Sequence, residues 1–178
     1  MEGRDLLNLD DAALLQQCEV HVYKASGPGG QHRNKVSSAV RLRHLPTGIS
    51  AHGDDSRSQH ENKRLALVRL RMKIACTLRT PVTDDAECPE VVSRCTFTAR
   101  GGGQAGRLRL QVGRRDARYW QVVAYLLDLL EHFQGQLADA ASHLGITTGN
   151  LVAVIQADRH ALAAAQAIRK EHGLGPLK

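Results

Sequence analysis

The chain has 178 residues, a net charge of +6 and 42% hydrophobic residues. That length supplies one ordinary domain or two small ones, and with no long apolar run it offers no membrane-spanning segment. Aromatic residues are only 3%, so no platform for stacking single-stranded bases is expected.

The charge is unevenly placed. Val20 to Arg79 holds twelve Lys/Arg against three Asp/Glu, net +9, whereas Thr80 to the end holds eleven against ten, net +1. Solubility alone does not require that asymmetry; a polyanionic partner does. Contacts to phosphate and to overall shape are therefore expected from the first part. The start, Met1 to Asn8, is acidic and lacks an apolar signal segment. Cys18, Cys76, Cys88 and Cys95 have no close paired spacing and there is no Cys-x-x-Cys or His-x-x-x-His clip. A reducing, cytoplasmic setting follows, with no metal site and no cofactor expected.

In chain order, Asp10 to Gln17 reads as a short helix with acidic residues at its start, where the helix dipole favours them. Glu19-Val-His-Val-Tyr23 alternates as a strand. It leads into Lys24-Ala-Ser-Gly-Pro-Gly-Gly-Gln-His-Arg-Asn-Lys35, a glycine-rich loop flanked by cations. Glycine lacks a Cβ, so Gly29 and Gly30 let the backbone approach a partner closely, and Pro28 fixes one dihedral before them. Gln31 sits at the tip and cannot titrate; it only donates and accepts hydrogen bonds. A neutral, position-sensitive tip between Lys24, Arg33 and Lys35 suits insertion into a phosphate-lined cavity.

Ala39 to His44 is the returning strand, with Val40 and Leu42 on one face and Arg41 and Arg43 on the other. A turn at Leu45-Pro-Thr-Gly48 joins it to Ile49-Ser-Ala-His52 in a small antiparallel hairpin. Ser58-Gln-His-Glu61 has capping-box spacing and begins a long helix. Leu67, Leu70, Ile74 and Leu78 form one apolar stripe of that helix, and Leu65, Val68, Met72 and Ala75 a second. So wide an arc suggests packing on the sheet and leaves room for a further element.

Thr80 to about Arg100 is acidic, proline-containing and aperiodic, the signature of a linker. A strand-like run, Arg107 to Val112, follows Gly101-Gly-Gly-Gln104. Arg107, Arg109, Arg114, Arg115 and Arg118 make a second basic patch, equally compatible with a solvated face and with RNA contact. Beyond Ala117 the pattern is helical. Leu137 to Val154 resembles a helix-turn-helix, with the turn at Gly145, Ile146 after it, Thr147 as cap, and Leu151 and Val154 packing back. Arginines, lysines and paired amides, the usual base readers, are scarce on its second helix, so DNA recognition is not expected and a packing or protein-docking role is favoured. A last helix runs from Arg159 to His172 and ends near Gly173.

The loop carries a family resemblance. Ser26-Gly-Pro-Gly-Gly-Gln-His-Arg-Asn-Lys35, Ser38-Ala-Val-Arg-Leu-Arg-His-Leu-Pro-Thr-Gly-Ile49 and Ser56-Arg-Ser-Gln-His-Glu-Asn-Lys-Arg64 closely resemble the catalytic domain of the bacterial peptide chain release factors, whose hallmark is Gly-Gly-Gln. A bare tripeptide is weak, as the second copy Gly102-Gly103-Gln104 illustrates; it lacks that neighbourhood and reads as a glycine turn. The likeness covers about residues 18 to 79.

The resemblance implies an α+β chain. Residues 1–79 would form a small Gly-Gly-Gln domain, a short antiparallel sheet with one long helix. A linker at 80–106 and an all-α, helix-turn-helix-like module at 107–178, opened by the strand-like run, would follow. It implies hydrolysis of the peptidyl-tRNA ester in the peptidyl transferase centre, with Gly29, Gly30 and Gln31 catalytic and Gln31 a site of side-chain methylation by a methyltransferase. Lys24, Ser26, His32, Arg33, Lys35, Arg41, Arg43, Arg57, Lys63 and Arg64 would contact rRNA or tRNA. The partners would be the ribosome, through large-subunit rRNA, and peptidyl-tRNA, with a protein partner for the helical module.

Only about 18 residues precede the matched part, and Arg169, Lys170 and Lys178 are too few for a basic tail. The expectation is thus a codon-independent release or rescue factor with a different targeting module. The competing expectation is a non-catalytic ribosome- or RNA-binding protein that uses the same fold. His32 is an alternative general base, and action on another ester or amide attached to RNA is a third reading.

Overall fold

The computed structural model describes residues 3–24, 38–83, 85, 87–99 and 106–177. It is α+β, a small antiparallel sheet with several helices, and it divides into two compact units. One comprises Asp5–Ile74; the other comprises Met1–Arg4 with Ala75–Lys178.

The first unit is built on three antiparallel strands, Cys18–Tyr23 (β1), Ala39–His44 (β2) and Ser50–Gly53 (β3), in the order β1-β2-β3. Alternation dictates which side is buried: Val40, Leu42 and His44 are buried while Arg41 and Arg43 face out. The short helix Asp11–Gln16 (α2) is capped by Asp10, which accepts a 2.7 Å hydrogen bond from the Ala13 N–H. The first helix, Gly3–Asn8 (α1), precedes it and was not evident in the sequence. Arg71 donates to the carbonyls of Leu7 (3.1 Å) and Leu9 (2.7 Å) and to Asp11 (2.9 Å). It thereby satisfies acceptors that a short helix cannot pair internally.

The long helix Gln59–Thr77 (α3) starts at the expected cap: Ser58 Oγ accepts from the Glu61 N–H at 3.3 Å. Ala66, Leu67, Leu70 and Ile74 are buried with Val40, Leu42 and Ala51. Gly53 permits the close approach of β3 to α3, because a Cβ there would collide with the Asn62 carbonyl oxygen. Of the second stripe only Ala75 is buried. Val68 is 45% exposed, and Leu65 and Met72 are half-buried, since the sheet covers only the opposite arc of the helix.

The second unit is a helical assembly around Tyr119–His132 (α5), in which ten residues, among them Val122, Leu126, Leu127 and Leu130, are buried. A helix buried on several faces needs partners all round. They are Leu137–His143 (α6), Thr148–Gln156 (α7) and Arg159–Glu171 (α8), together with the hairpin of Thr96–Thr98 (β4) and Leu108–Leu110 (β5). The stretch 80–106, expected as a linker, contributes to this core. It carries the helical turn Glu90–Ser93 (α4) and β4, and Val82, Val92 and Cys95 are buried. Its acids and prolines masked a few spaced apolar anchors.

The helix-turn-helix has its expected geometry. Gly145 takes φ +64°, Thr147 Oγ1 accepts from the Asn150 N–H at 3.2 Å, and Ile146, Leu151 and Val154 are buried. The last helix also ends as expected, with Gly173 at φ +71° and the Leu174 N–H donating to the Arg169 carbonyl at 2.8 Å.

One buried charge ties the start of the chain into this unit. Asp128, 2% exposed, accepts from the Thr80 N–H (3.0 Å) and from Arg79 (3.3 Å). Arg4 Nε lies 3.1 Å from Asp128 Oδ2, an ion pair without hydrogen-bond alignment. Burial pushes the Asp128 carboxyl up to about 6, against the pull of the Thr80 N–H, Arg79 and Arg4. Removing the carboxylate leaves two guanidinium groups without their partner. Asp128→Ala is therefore expected to destabilise this unit by about 3 kcal/mol, measured by urea denaturation followed through Trp120; an unchanged midpoint would contradict the assignment.

Candidate functional site

The site is read from the root of the glycine-rich loop upward. Ser26, Gly29, Gly30, Gln31, His32, Arg33 and Lys35 lie outside the described residues, as does Gly102-Gly103-Gln104. The residues that carry the loop are described on both sides. Tyr23 pairs with Ala39 at the end of the β1–β2 ladder, so the chain leaves and re-enters the sheet at adjacent points. The connection between them is closed by backbone pairing at its base.

A second constraint acts on the returning arm. Asn62 is fully buried in the first turns of α3. Its Nδ2 donates to the carbonyls of Ser38 and Ser56, each at 2.7 Å, and its Oδ1 accepts from the Ser56 N–H at 2.9 Å. A buried amide with unmet capacity is costly, and here three bonds satisfy it. One side chain thus joins the loop's return, the β3–α3 connection and the long helix. Sequence reading missed Asn62. The available signal was its place four residues before Ala66 and eight before Leu70, a polar residue on the buried stripe.

The sheet face opposite α3 is polar and cationic. Pairing aligns His21, Arg41 and His52 in one row across the three strands and Glu19, Arg43 and Ser50 in the next. Arg41 and Arg43 are exposed. Tyr23 Oη lies 3.0 Å from His52 Nδ1, and their rings meet edge-on with centroids 6.0 Å apart. Burial and the Asp54 charge push the Tyr23 hydroxyl up, with Arg41 opposing. His21 Nε2 lies 3.1 Å from Glu19 Oε1.

Of the other cations expected to meet RNA, Lys24 and Arg57 are exposed and Lys63 is half-buried. Arg64 makes two hydrogen bonds to Glu61, at 2.7 and 3.1 Å, so its charge is partly neutralised within α3. The structure brings Arg41 and Arg43 onto one face; Lys63 and Arg64 belong to α3. Among the described residues no group of three His, Cys, Asp or Glu is placed to hold a metal ion. No described helix is long and apolar enough to cross a membrane.

The RF-1 domain is matched over residues 13–107. This chain belongs to the RF-1 domain family. The match runs past the sheet and α3 to include α4 and β4, further than the motif resemblance alone. Peptide chain release factor 2 of Buchnera aphidicola subsp. Baizongia pistaciae is 50% identical over 70 residues, 37% of this chain and 19% of that protein. Peptide chain release factor 1 of Leptothrix cholodnii is 41% identical over 93 residues, 52% of this chain and 24% of its own length. The corresponding factor of Nitrosospira multiformis is 37% identical over 102 residues, 57% and 27% respectively. The chain thus spans about a fifth to a quarter of these relatives, and the RF-1 domain is the part they share with it.

Within the RF-1 domain the sheet has one titratable internal anchor. His44 is fully buried, 2.8 Å from Thr47 Oγ1 through Nδ1 and 3.1 Å from Gln17 Oε1 through Nε2. Burial pulls its pKa below the ordinary value. The folded imidazole resists protonation while the unfolded one takes up a proton near pH 6.5. Stability is therefore complete above about pH 6.5 and is lost as the pH falls toward the depressed folded value. Amide exchange in β1 and β2 is expected to accelerate between neutral pH and about pH 5 after correction for intrinsic rates, and His44→Gln should remove that dependence. A pH-independent profile in the unaltered protein would contradict this role.

Proposed function

We propose that this chain hydrolyses the ester between a nascent peptide and tRNA in the peptidyl transferase centre of the ribosome, and that it does so without reading a codon. The observation that carries the reading is Gly29-Gly30-Gln31 on a loop whose two arms are fixed by the Tyr23–Ala39 pairing and by Asn62, within an RF-1 domain. Its relatives are named as peptide chain release factors. A protein acting there works in the cytoplasm.

The chemistry asks little of side-chain acidity. Water attacks the ester carbonyl, the bond from carbonyl carbon to the tRNA 3′-oxygen breaks, and the proton from water ends on that oxygen. Gln31 supplies no proton at any step. Its backbone N–H donates to the oxygen on which charge develops, and its side-chain amide bounds the space for one water. Gly29 and Gly30 give the backbone the conformation that aims that N–H. Lys24, Arg41, Arg43 and Arg57 hold the domain on rRNA through phosphate, and salt weakens that grip.

Codon independence is the finer part of the proposal and rests on residues 108–178, which follow the matched region and form most of a helical unit. In this reading that unit, not a codon, directs the protein to its ribosome.

The test uses ribosomes carrying labelled peptidyl-tRNA, with and without a stop codon in the decoding site. Release by the unaltered protein is expected in both formats. Gly30→Ala should slow it by at least about 100-fold, the scale of losing one oxyanion donor, and Gln31→Ala should weaken it. Absence of release in every format, with ribosome binding intact, would contradict catalysis. Release only with a stop codon would contradict codon independence.

A further inference from the structure

We propose that the β4–β5 hairpin and the adjoining face of α7 form a second RNA-binding surface, one that grips a single-stranded backbone without reading its sequence. The choice of RNA rests on the ribosomal reading above; the surface itself is argued from its own chemistry.

The hairpin is locked beside the helix-turn-helix by a single side chain. Asn150, in the first turn of α7, accepts from the Leu110 N–H at 2.7 Å and donates to the Leu110 carbonyl at 2.8 Å. It mimics a neighbouring strand on the open edge of β5. Further along, Arg114 Nε lies 3.9 Å from Asp158 Oδ2, the cap residue of α8. The segment from β5 to Arg114 therefore runs beside α7 from its first turn to its end.

Pairing fixes what this hairpin presents. Phe97 is directly opposite Arg109, so the two share one face, and Arg107, two residues earlier and just before β5, is on the same side by alternation. Leu110 is buried on the other face. Phe97 is 55% exposed in a chain with only two phenylalanines. Arg107, Arg109 and Arg115 are exposed and form no ion pair among the described residues, whereas Arg118 is engaged by Asp116. Between hairpin and helix lies a cleft of about 320 Å³, bordered by Leu108, Arg109, Thr147, Gly149, Asn150 and Ala153.

Charge and shape select the occupant. No Asp or Glu occurs in β4, in Leu108–Gly113 or in Thr147–Ala157; Arg107 and Arg109 are without ion pairs among the described residues there, and the carboxylates beyond those segments, Asp116 and Asp158, lie against Arg118 and Arg114. That favours a polyanion over a protein face of mixed charge. Of the exposed residues of α7, Thr148, Gly149 and Ala153 are too short to read base edges, Gln156 is a lone amide at the last position of the helix, and the Asn150 amide is committed to Leu110. Sequence-specific duplex DNA is thereby disfavoured. Small residues instead let a sugar-phosphate backbone come close. Phe97, opposite Arg109, offers an exposed stacking face that the scarcity of aromatics argued against, and an unpaired base is presented by single-stranded RNA and not by a duplex.

The experiment measures fluorescence anisotropy of the full chain with labelled oligouridine, duplex RNA or duplex DNA across a salt series. Variants are made in an Arg41→Glu/Arg43→Glu background, which removes the contribution of the sheet. Arg107→Glu/Arg109→Glu should weaken oligouridine binding at least tenfold and lower the salt slope by about 1.4, twice the single-strand increment per phosphate contact. Phe97→Ser should weaken it roughly tenfold with the slope unchanged. Lys170→Glu, a charge reversal on α8 half as large, should leave the affinity near that of the parent.

Unchanged oligouridine affinity in both hairpin variants would overturn the proposal. If those variants then lost co-sedimentation with ribosomes, the face would belong to a protein partner. Tighter binding to duplex DNA than to oligouridine would also overturn it. Because no arm depends on ester hydrolysis, the surface and the catalytic reading stand or fall separately.

Discussion

Burying an amide imposes a constraint that propagates through the RF-1 domain. Asn62 has no access to water, so its donors and acceptor must be met inside the protein, and they are met by Ser38 and Ser56. Moving any of the three segments it joins would strand polar groups in an apolar setting, at a cost of about 1–3 kcal/mol each. Gly53 lets β3 approach α3 closely enough for this arrangement, since any larger residue would collide with the Asn62 carbonyl. The glycine-rich loop thus joins a base held by a strand pair and a buried hydrogen-bond node. The proposed catalysis, which works by placing one backbone N–H, would depend on such a base.

The two units divide the chemistry. The sheet unit carries most of the excess positive charge, and its outer face sets Arg41 across from His21 and His52, and Arg43 across from Glu19 and Ser50. The helical unit is close to neutral in total, yet its arginines are concentrated on the hairpin and the segment after it. Its core is aliphatic and centred on α5, with Tyr119 donating to the Val154 carbonyl at 3.0 Å and Asp128 holding Thr80, Arg79 and Arg4. A near-zero total charge therefore says little about the local surface.

Much of the architecture was legible because it rests on local rules. Strand alternation placed Val40 and Leu42 inside and Arg41 and Arg43 outside. The Ser58 cap, the Thr147 cap and the glycine endings at Gly145 and Gly173 follow from backbone chemistry that a sequence displays directly. The stretch 80–106 was less legible because Val82, Val92 and Cys95 are isolated anchors with no periodicity, buried only through long-range packing. Asn62 and His44 were missed for a related reason. Each is a polar residue at a position of the buried pattern, and only the tertiary partners reveal that its polarity is used. The candidate site was legible through motif and resemblance, while the physical support of the loop was not.

In the proposed reaction Asn62 acts through the loop that carries Gln31. Single-turnover peptide release by the unaltered protein, Asn62→Ala, Gln31→Ala and the double variant, measured below the melting temperature of each, tests it as a thermodynamic cycle. If Asn62 acts by holding the loop, the double variant will be no slower than Gln31→Ala alone. Losses that simply add would show that Asn62 stabilises the fold without positioning the reacting tip, and would contradict the account.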